Sequence, residues 1–286
     1  MQRIRNEASV VPAVQNDVAM EKIGLIAGNR KFPILFADSA RKKGCQIIAI
    51  AIKHDTSPEL KKYCHKVYWL GLNEFSRMFE LFRQEGLKKV AMAGQISPRR
   101  LFSREVEQDP QLSTMLASLE DKRADTIFGA IAQRIQLEGF ELVDSTLFLG
   151  DYLPRQGTLT RCIPTFGQWD DIYFGLDLAK SVALLDIGQT VAVKQKAIVA
   201  VEALEGTDNL IRRAGKIGRG GIVVVKVSKP SQDMRFDIPV VGLNTVRNLV
   251  KAKAACLAIE AGKTLFIDQQ ASVALADSKG LALVAI

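Results

Sequence analysis

Histidine and cysteine are scarce in this chain of 286 residues, and neither is spaced for metal binding. The two histidines, His54 and His65, and the four cysteines, Cys45, Cys64, Cys162 and Cys256, form no Cys-x-x-Cys pair. That argues against a structural zinc site and reads as reduced thiols in a cytoplasmic protein. No apolar stretch reaches the roughly 20 residues a membrane-spanning helix needs. Residues 1 to about 20 are polar and lack an apolar h-region, so no secretory signal is expected. Internal repeats and low-complexity tracts are also missing. Aromatic residues make up 7%, and the basic residues are dispersed rather than striped with stacking rings. This counts against a basic nucleic-acid-binding module. The full Gly-x-Gly-x-x-Gly fingerprint is absent too, because Arg30 and Lys31 stand where glycine would be wanted. No acidic residue clearly ends the second strand, which counts against a nicotinamide-dependent oxidoreductase acting on a sugar.

What is present is an apolar fraction of 48% and a formal charge of +8, so a real core and an anionic partner are expected. Short buried-strand patterns at Ile23–Gly28, Gln46–Ile52 and Val90–Ala93 alternate with helical text at Pro33–Ala40, Glu74–Glu85, Ser113–Ser118 and Asp125–Glu138. Alternation of this kind predicts a Rossmann-like parallel sheet covered on both faces, over residues 20–152. Proline, glycine and threonine mark 153–165 as a linker. Residues 166–286 read as a second α/β domain with a mixed sheet. Its text gives a helix at Asp170–Leu185, a hairpin with strands Thr190–Val193 and Ala197–Val201, and a helix capped by Thr207 or Asp208. A strand at Ile222–Val227, a helix at Asn244–Ala261 and a strand–helix–strand tail complete it.

Carboxylates run through this second half. Asp186 opens Asp186-Ile187-Gly188-Gln189, Glu202, Glu205 and Asp208 follow, and Asp233 and Asp237 sit between Lys226 and Pro239. Crowded like charges are costly unless a cation neutralises them, so one reading is a divalent-cation site beside a phosphate-bearing substrate. The other is that Glu205 and Asp208 merely stabilise a helix N-terminus. Lys226, in a strand, must find a partner or reach the surface. Lys226, Lys229, Arg235, Asp233 and Asp237 read either as a catalytic cluster or as a salt-bridged surface loop. In the first half, Gly28 and Asn29 after one strand and Gly94 after another offer an anion site at strand ends, or simply tight turns. Arg99 and Arg100 can pair with phosphate or form a solvated charge run.

Several of these blocks resemble one family. They are Gly24-Leu25-Ile26-Ala27-Gly28-Asn29 with Phe32-Pro33, Met92-Ala93-Gly94, Asp144-Ser145-Thr146 and Leu185-Asp186-Ile187-Gly188-Gln189, then Val201 to Asp208 and Val225 to Pro239. The chain from about Ile23 onward is similar to the LpxI-type UDP-2,3-diacylglucosamine pyrophosphatases of lipid A biosynthesis. The resemblance implies two α/β domains with the active site between them. It implies Mg²⁺-dependent hydrolysis of the diphosphate of UDP-2,3-diacylglucosamine, to UMP and 2,3-diacylglucosamine 1-phosphate (lipid X), at the inner-membrane surface. A homodimer is expected, and nucleic acid is not expected as a partner. By motif, the family's essential aspartate corresponds to Asp237. Glu202, Asp208 and Asp233 match other acidic positions and, with Asp237, are the expected metal ligands. Gly28, Asn29, Gly94, Thr207, Lys226, Lys229 and Arg235 are the expected substrate contacts. Three positions depart from the family pattern: Arg30 for a glycine, Gln95 for a lysine and Ala124 for an acidic residue. The acyl chains need an apolar cleft, for which a gap between the domains is the natural place.

Overall fold

The computed structural model describes residues 20–96, 100, 103–121, 123–230 and 232–286. The readings of the stretch before residue 20 and of Arg99 lie outside the described residues. The first half contains β1 (Lys22–Ala27), α1 (Phe32–Lys42), β2 (Gln46–Ile52), β3 (Lys66–Leu70), α2 (Phe75–Gln84), β4 (Lys89–Ala93), α3 (Pro110–Ala117), α4 (Ala124–Leu137) and β5 (Glu141–Leu142). Its strands pair in parallel in the order β3-β2-β1-β4-β5. Every residue of β2 after Gln46 is buried, as expected for an interior parallel strand covered on both faces. On one face Phe79, Phe82, Leu112, Ile127 and Ile131 from the helices pack on Ile48 and Ile50. On the other, Phe36, Ala37 and Ala40 of α1 pack on Leu25 and Ile47. The strand order reverses between β1 and β4, and open α/β sheets bind ligands at such a switch point.

The second half contains β6 (Gly157–Thr158), α5 (Phe166–Leu184), β7 (Thr190–Lys194), β8 (Ala197–Val201), α6 (Thr207–Gly218) and β9 (Val223–Lys226). Then come β10 (Val240–Val241), α7 (Leu243–Lys251), β11 (Cys256–Ile259), β12 (Leu265–Phe266), α8 (Gln269–Lys279) and β13 (Ala282–Ala285). The sheet order is β6-β13-β11-β9-β7-β8. The three central strands are parallel, while β6 and the β7–β8 hairpin add antiparallel edges, so the sheet is mixed as expected. α5 covers one face. α6, α7 and α8 cover the other.

Two expectations need correction. Within 153–165, expected as a linker, Gly157–Thr158 pairs with β13, so part of that stretch belongs to the second sheet. The single helix expected at Asn244–Ala261 is helix α7 followed by strand β11. Cys256–Ile259 is an interior strand, and a short, fully apolar run has the same pattern as a buried helix segment.

The two halves share a core. β10 and β12 form a small parallel pair, and Leu265 of β12 is buried among the α1-side residues of the first half. Ile238, Val240 and Ile267 pack there too. Fully burying one leucine is worth about 1.5–3 kcal/mol, so this wedge ties the halves together at useful strength. Lys31 and Asp268 add an exposed ion pair of 2.9 Å across the same seam, worth little by comparison.

Candidate active site

Two glycines make the switch point of the first sheet. The Gly28 amide donates to the Ala93 carbonyl (2.8 Å) and the Asn29 amide to the Gln95 carbonyl (2.7 Å), so the ends of β1 and β4 cross closely. A Cβ on Gly28 would lie 2.5 Å from the Gln95 carbonyl oxygen, and one on Gly94, at φ 85°, would lie 2.5 Å from the Asn29 carbonyl oxygen. The Asn29 side-chain oxygen is buried and has no hydrogen-bond donor among the described residues. Beside this crossing, at the C-terminal ends of β1 to β4, opens an apolar cleft. Its walls include Ile26, Ile52, Met78, Leu112 and Ile131, with Gly28 and Gly94 at the rim. This cleft lies within the first half, where α2, α3 and α4 stand off the strand ends, and Phe236 is the second half's contribution.

β9 leads from the second sheet into this region. Lys226, its last residue, is 7% exposed. Its Nζ donates to Thr207 Oγ1 (3.0 Å) and approaches Thr190 Oγ1 (3.5 Å). Thr207 is the first residue of α6, with Gly206 as its cap, so its hydroxyl is free for other work. It donates to Glu202 Oε1 (2.9 Å). Burial pulls the Lys226 ammonium below its usual pKa, against the pull of Glu202, Asp237 and Asp208. Glu202 is joined to it through the Thr207 hydroxyl. Glu202 reaches its place because Gly188 lies against it, where a Cβ would stand 2.2 Å from the Glu202 carbonyl oxygen.

After β9 the chain is clamped from both sides. Glu260, following β11, accepts hydrogen bonds from the Ser228 amide (2.9 Å), the Ser228 hydroxyl (2.7 Å) and Lys180 (2.6 Å). Burial pushes its pKa up, but Lys180, Lys263 and Ser228 outweigh it and hold it at about 2. A depressed carboxylate stabilises the fold above its unfolded pKa near 4.5, and that contribution disappears as pH falls toward 2. Glu260→Gln is expected to cost about 2 kcal/mol at neutral pH and to flatten the loss of melting temperature between pH 5 and 3. Thermal unfolding at several pH values checks this.

Lys229 is the next fixed point. Its Nζ is 2.5 Å from Asp186, 3.8 Å from Asp237, and pairs with Asp125 of α4. Burial pulls its pKa down, but Asp125 and Asp186 outweigh it and the ammonium is held above its usual value. Asp186 adopts φ 55° at the end of α5 and also accepts from Arg123 at 3.1 Å. This ion network joins the two halves of the chain. Asp237 is half-buried, and burial, then the Asp125 charge, raises its carboxyl pKa.

Other expected residues are placed differently. Asp233 accepts from the Arg235 amide (3.0 Å) and guanidinium (2.6 Å), so the two are spent on each other and fix the turn before Asp237. Asp208 accepts from Asn244 at 2.6 Å. Arg100 is neither a free phosphate arm nor a solvated charge, since it pairs with Asp55 (2.8 Å) and Glu105 (2.6 Å) and is 17% exposed. Among the described residues no three His, Cys, Asp or Glu side chains are grouped to hold a metal. Magnesium asks less, often one or two carboxylates with waters and substrate phosphates. Asp237 fits that demand, with no ion-pair partner nearer than Lys229 among the described residues.

Sequence reasoning did not anticipate the roles of Ser145, Asp125 and Thr190 or the walls of the cleft. Ser145 is fully buried, its amide donating to the Met234 carbonyl (3.0 Å) and its hydroxyl reaching the Arg235 carbonyl (2.6 Å), which pins the Asp233–Asp237 turn to the first half. The Asp144-Ser145-Thr146 block was the available signal.

Residues 22–152 match the LpxI N-terminal domain and residues 155–284 the LpxI C-terminal domain. The chain belongs to the LpxI family. The UDP-2,3-diacylglucosamine pyrophosphatase LpxI of Caulobacter vibrioides is 31% identical over 278 residues, covering 93% of this chain and 98% of that protein. Solved structures show much weaker likeness. N5-carboxyaminoimidazole ribonucleotide synthetase from Thermotoga maritima is 15% identical with a TM-score of 0.24, over 66% of this chain and 43% of that one. N5-carboxyaminoimidazole synthetase from Staphylococcus aureus is 12% identical with a TM-score of 0.23, over 69% and 44%. Likeness at that level carries no argument about this LpxI-family chain.

Proposed function

We propose that this chain hydrolyses the diphosphate of UDP-2,3-diacylglucosamine to UMP and 2,3-diacylglucosamine 1-phosphate, in lipid A biosynthesis. The relative's activity supports the reaction. The observation that carries it is an apolar cleft and a charged cluster separated by one peptide bond: Phe236 lines the first and Asp237 stands in the second. A substrate that joins acyl chains to a diphosphate needs both environments within reach of one molecule.

In this reading the acyl chains enter the cleft and the diphosphate lies toward Lys226 and Lys229. Lys226, buried and paired with hydroxyls rather than a carboxylate, offers positive charge to the phosphates where water does not screen it. Lys229 places its charge between the two halves. Asp237 orients the attacking water and accepts its proton on a carboxylate oxygen. Magnesium, when bound, would be held by Asp237 and would neutralise phosphate charge. Among the described residues no helix is long and apolar enough to cross a membrane. A peripheral seat at the inner-membrane surface belongs to this proposal, supported by exposed Leu184, Leu185 and Leu204. So does a homodimer, supported by exposed Phe166 and Tyr173 on α5.

The test is incubation of purified protein with UDP-2,3-diacylglucosamine and Mg²⁺, with and without EDTA, followed by chromatography for UMP. UMP that appears with Mg²⁺ and is lost with EDTA is expected. No UMP in the presence of Mg²⁺ would overturn the reading.

A further inference from the structure

Phe236 and Asp237 are neighbours in the chain with opposite surroundings. The Phe236 ring lines the apolar cleft and stacks on Phe128 of α4, with centroids 6.5 Å apart and planes at 29°. The Asp237 carboxylate faces Lys229 at 3.8 Å, and Lys229 is paired with Asp125 on the same helix, one turn before Phe128. Everything else in this turn is fixed. Ser145 holds the carbonyls of Met234 and Arg235. The Asp237 amide donates to the Asp233 carbonyl at 2.9 Å, and Gln232 donates to the Asp237 carbonyl. The Phe236 side chain is thus the part of the turn that an occupant of the cleft would touch. The ring is one residue from Asp237 and, through Phe128, touches the same helix that carries the Asp125–Lys229 pair.

We propose that Phe236 is a positioning residue that makes the placement of Asp237 depend on whether acyl chains fill the cleft. This rests on the proposed hydrolysis and deepens it. Chains in the cleft press on the Phe128–Phe236 stack and seat the carboxylate for turnover, so acylation is read in kcat and not merely in KM. Binding energy from a remote, non-reacting part of a substrate is spent in this way when it orders the reacting group. The arrangement discriminates against deacylated UDP-sugars that share the same diphosphate.

The experiment measures kcat and KM separately for UDP-2,3-diacylglucosamine and for the same nucleotide sugar without acyl chains. It uses wild type, Phe236→Ala and Phe236→Leu, with melting temperatures for all three. Wild type is expected to lose about tenfold or more in kcat when the chains are absent. Phe236→Ala is expected to lose about tenfold in kcat on the diacyl substrate, and its kcat values for the two substrates should converge to within about twofold. Phe236→Leu, still apolar and branched, should keep most of the difference. If Phe236→Ala does not fold, Phe128→Ala removes the other ring of the stack and is expected to show the same convergence. Wild type with equal kcat on both substrates overturns the proposal. So does a folded Phe236→Ala whose loss lies in KM alone. Failure of wild type to release UMP from the diacyl substrate instead overturns the underlying reading, and the two outcomes are distinguishable in one data set.

Discussion

Asp237→Asn is expected to lower the rate of UMP release by about 10²–10⁴-fold while leaving the protein folded. Asparagine has the same shape and keeps the backbone bonds of the turn, from the Asp237 amide to Asp233 and from Gln232 to the Asp237 carbonyl. What it loses is the charge that would orient water or hold a cation. That charge is held at a cost, since burial first, and the Asp125 carboxylate second, raise the Asp237 pKa above 3.8. A carboxyl whose folded pKa is raised favours the folded state most when protonated, and its contribution falls as pH rises through that pKa. The neutral asparagine should therefore melt at or slightly above the wild-type temperature at pH 7. The same charges set the acid limb of the pH profile. With Asp125→Asn the repulsion is gone, the Asp237 pKa falls, and the limb moves to lower pH. UMP release measured between pH 4 and 8, beside melting curves, checks both statements. Near-wild-type turnover in a folded Asp237→Asn protein would remove Asp237 from the chemistry.

Much of the fold was legible because local and global preferences agree. The β7–β8 hairpin follows from two β-branched runs around Lys194-Gln195-Lys196, and Gln195 and Lys196 adopt the positive φ such a turn needs. β2 is legible as an unbroken apolar run. β11 was not, because its apolar stretch follows α7 closely and carries no period of its own. β10 was not legible either, and β12, legible only as the first strand of the tail, gains its meaning from pairing with β10 and wedging Leu265 into the first half.

The site divides in the same way. Lys226 is conspicuous in sequence as a charge at the end of a β-branched strand, and the structure gives it two hydroxyls, one of which also bonds Glu202. Asp233 and Arg235 are equally conspicuous, yet they satisfy each other two residues apart, as opposite charges flanking a turn can. Density of charge does not by itself separate a working cluster from a closed pair. Asp125 is unremarkable in sequence, and Ser145 is marked only by the Asp144-Ser145-Thr146 block. Their roles depend on α4 and the segment after β5 meeting a loop about a hundred residues further along. The cleft depends on helices standing off strand ends, which no periodicity encodes.

Lys226→Met is the second large effect expected. Methionine fills nearly the same volume without charge or donor, and kcat/KM should fall by about 10²–10³-fold, the range for losing one preorganised electrostatic contact in a dry site. Most of the loss should appear in kcat if Lys226 acts on charge that develops during diphosphate cleavage, and in KM if it merely holds the ground state. Lys226→Arg is not a rescue, because the guanidinium fork is larger and planar where Thr190 and Thr207 leave room for a compact ammonium. Stability should move the other way. Burial lowers the Lys226 pKa, so between that value and 10.5 the unfolded chain binds the proton more readily, and stability rises with pH over that window. At neutral pH the buried ammonium is therefore a cost that methionine removes, offset by the lost compensation of Glu202 and Asp237. A melting temperature at or near wild type together with a collapsed turnover rate identifies Lys226 as a charge kept for chemistry. A stable Lys226→Met protein that retains turnover within a few-fold would assign the positive contribution to Lys229 alone.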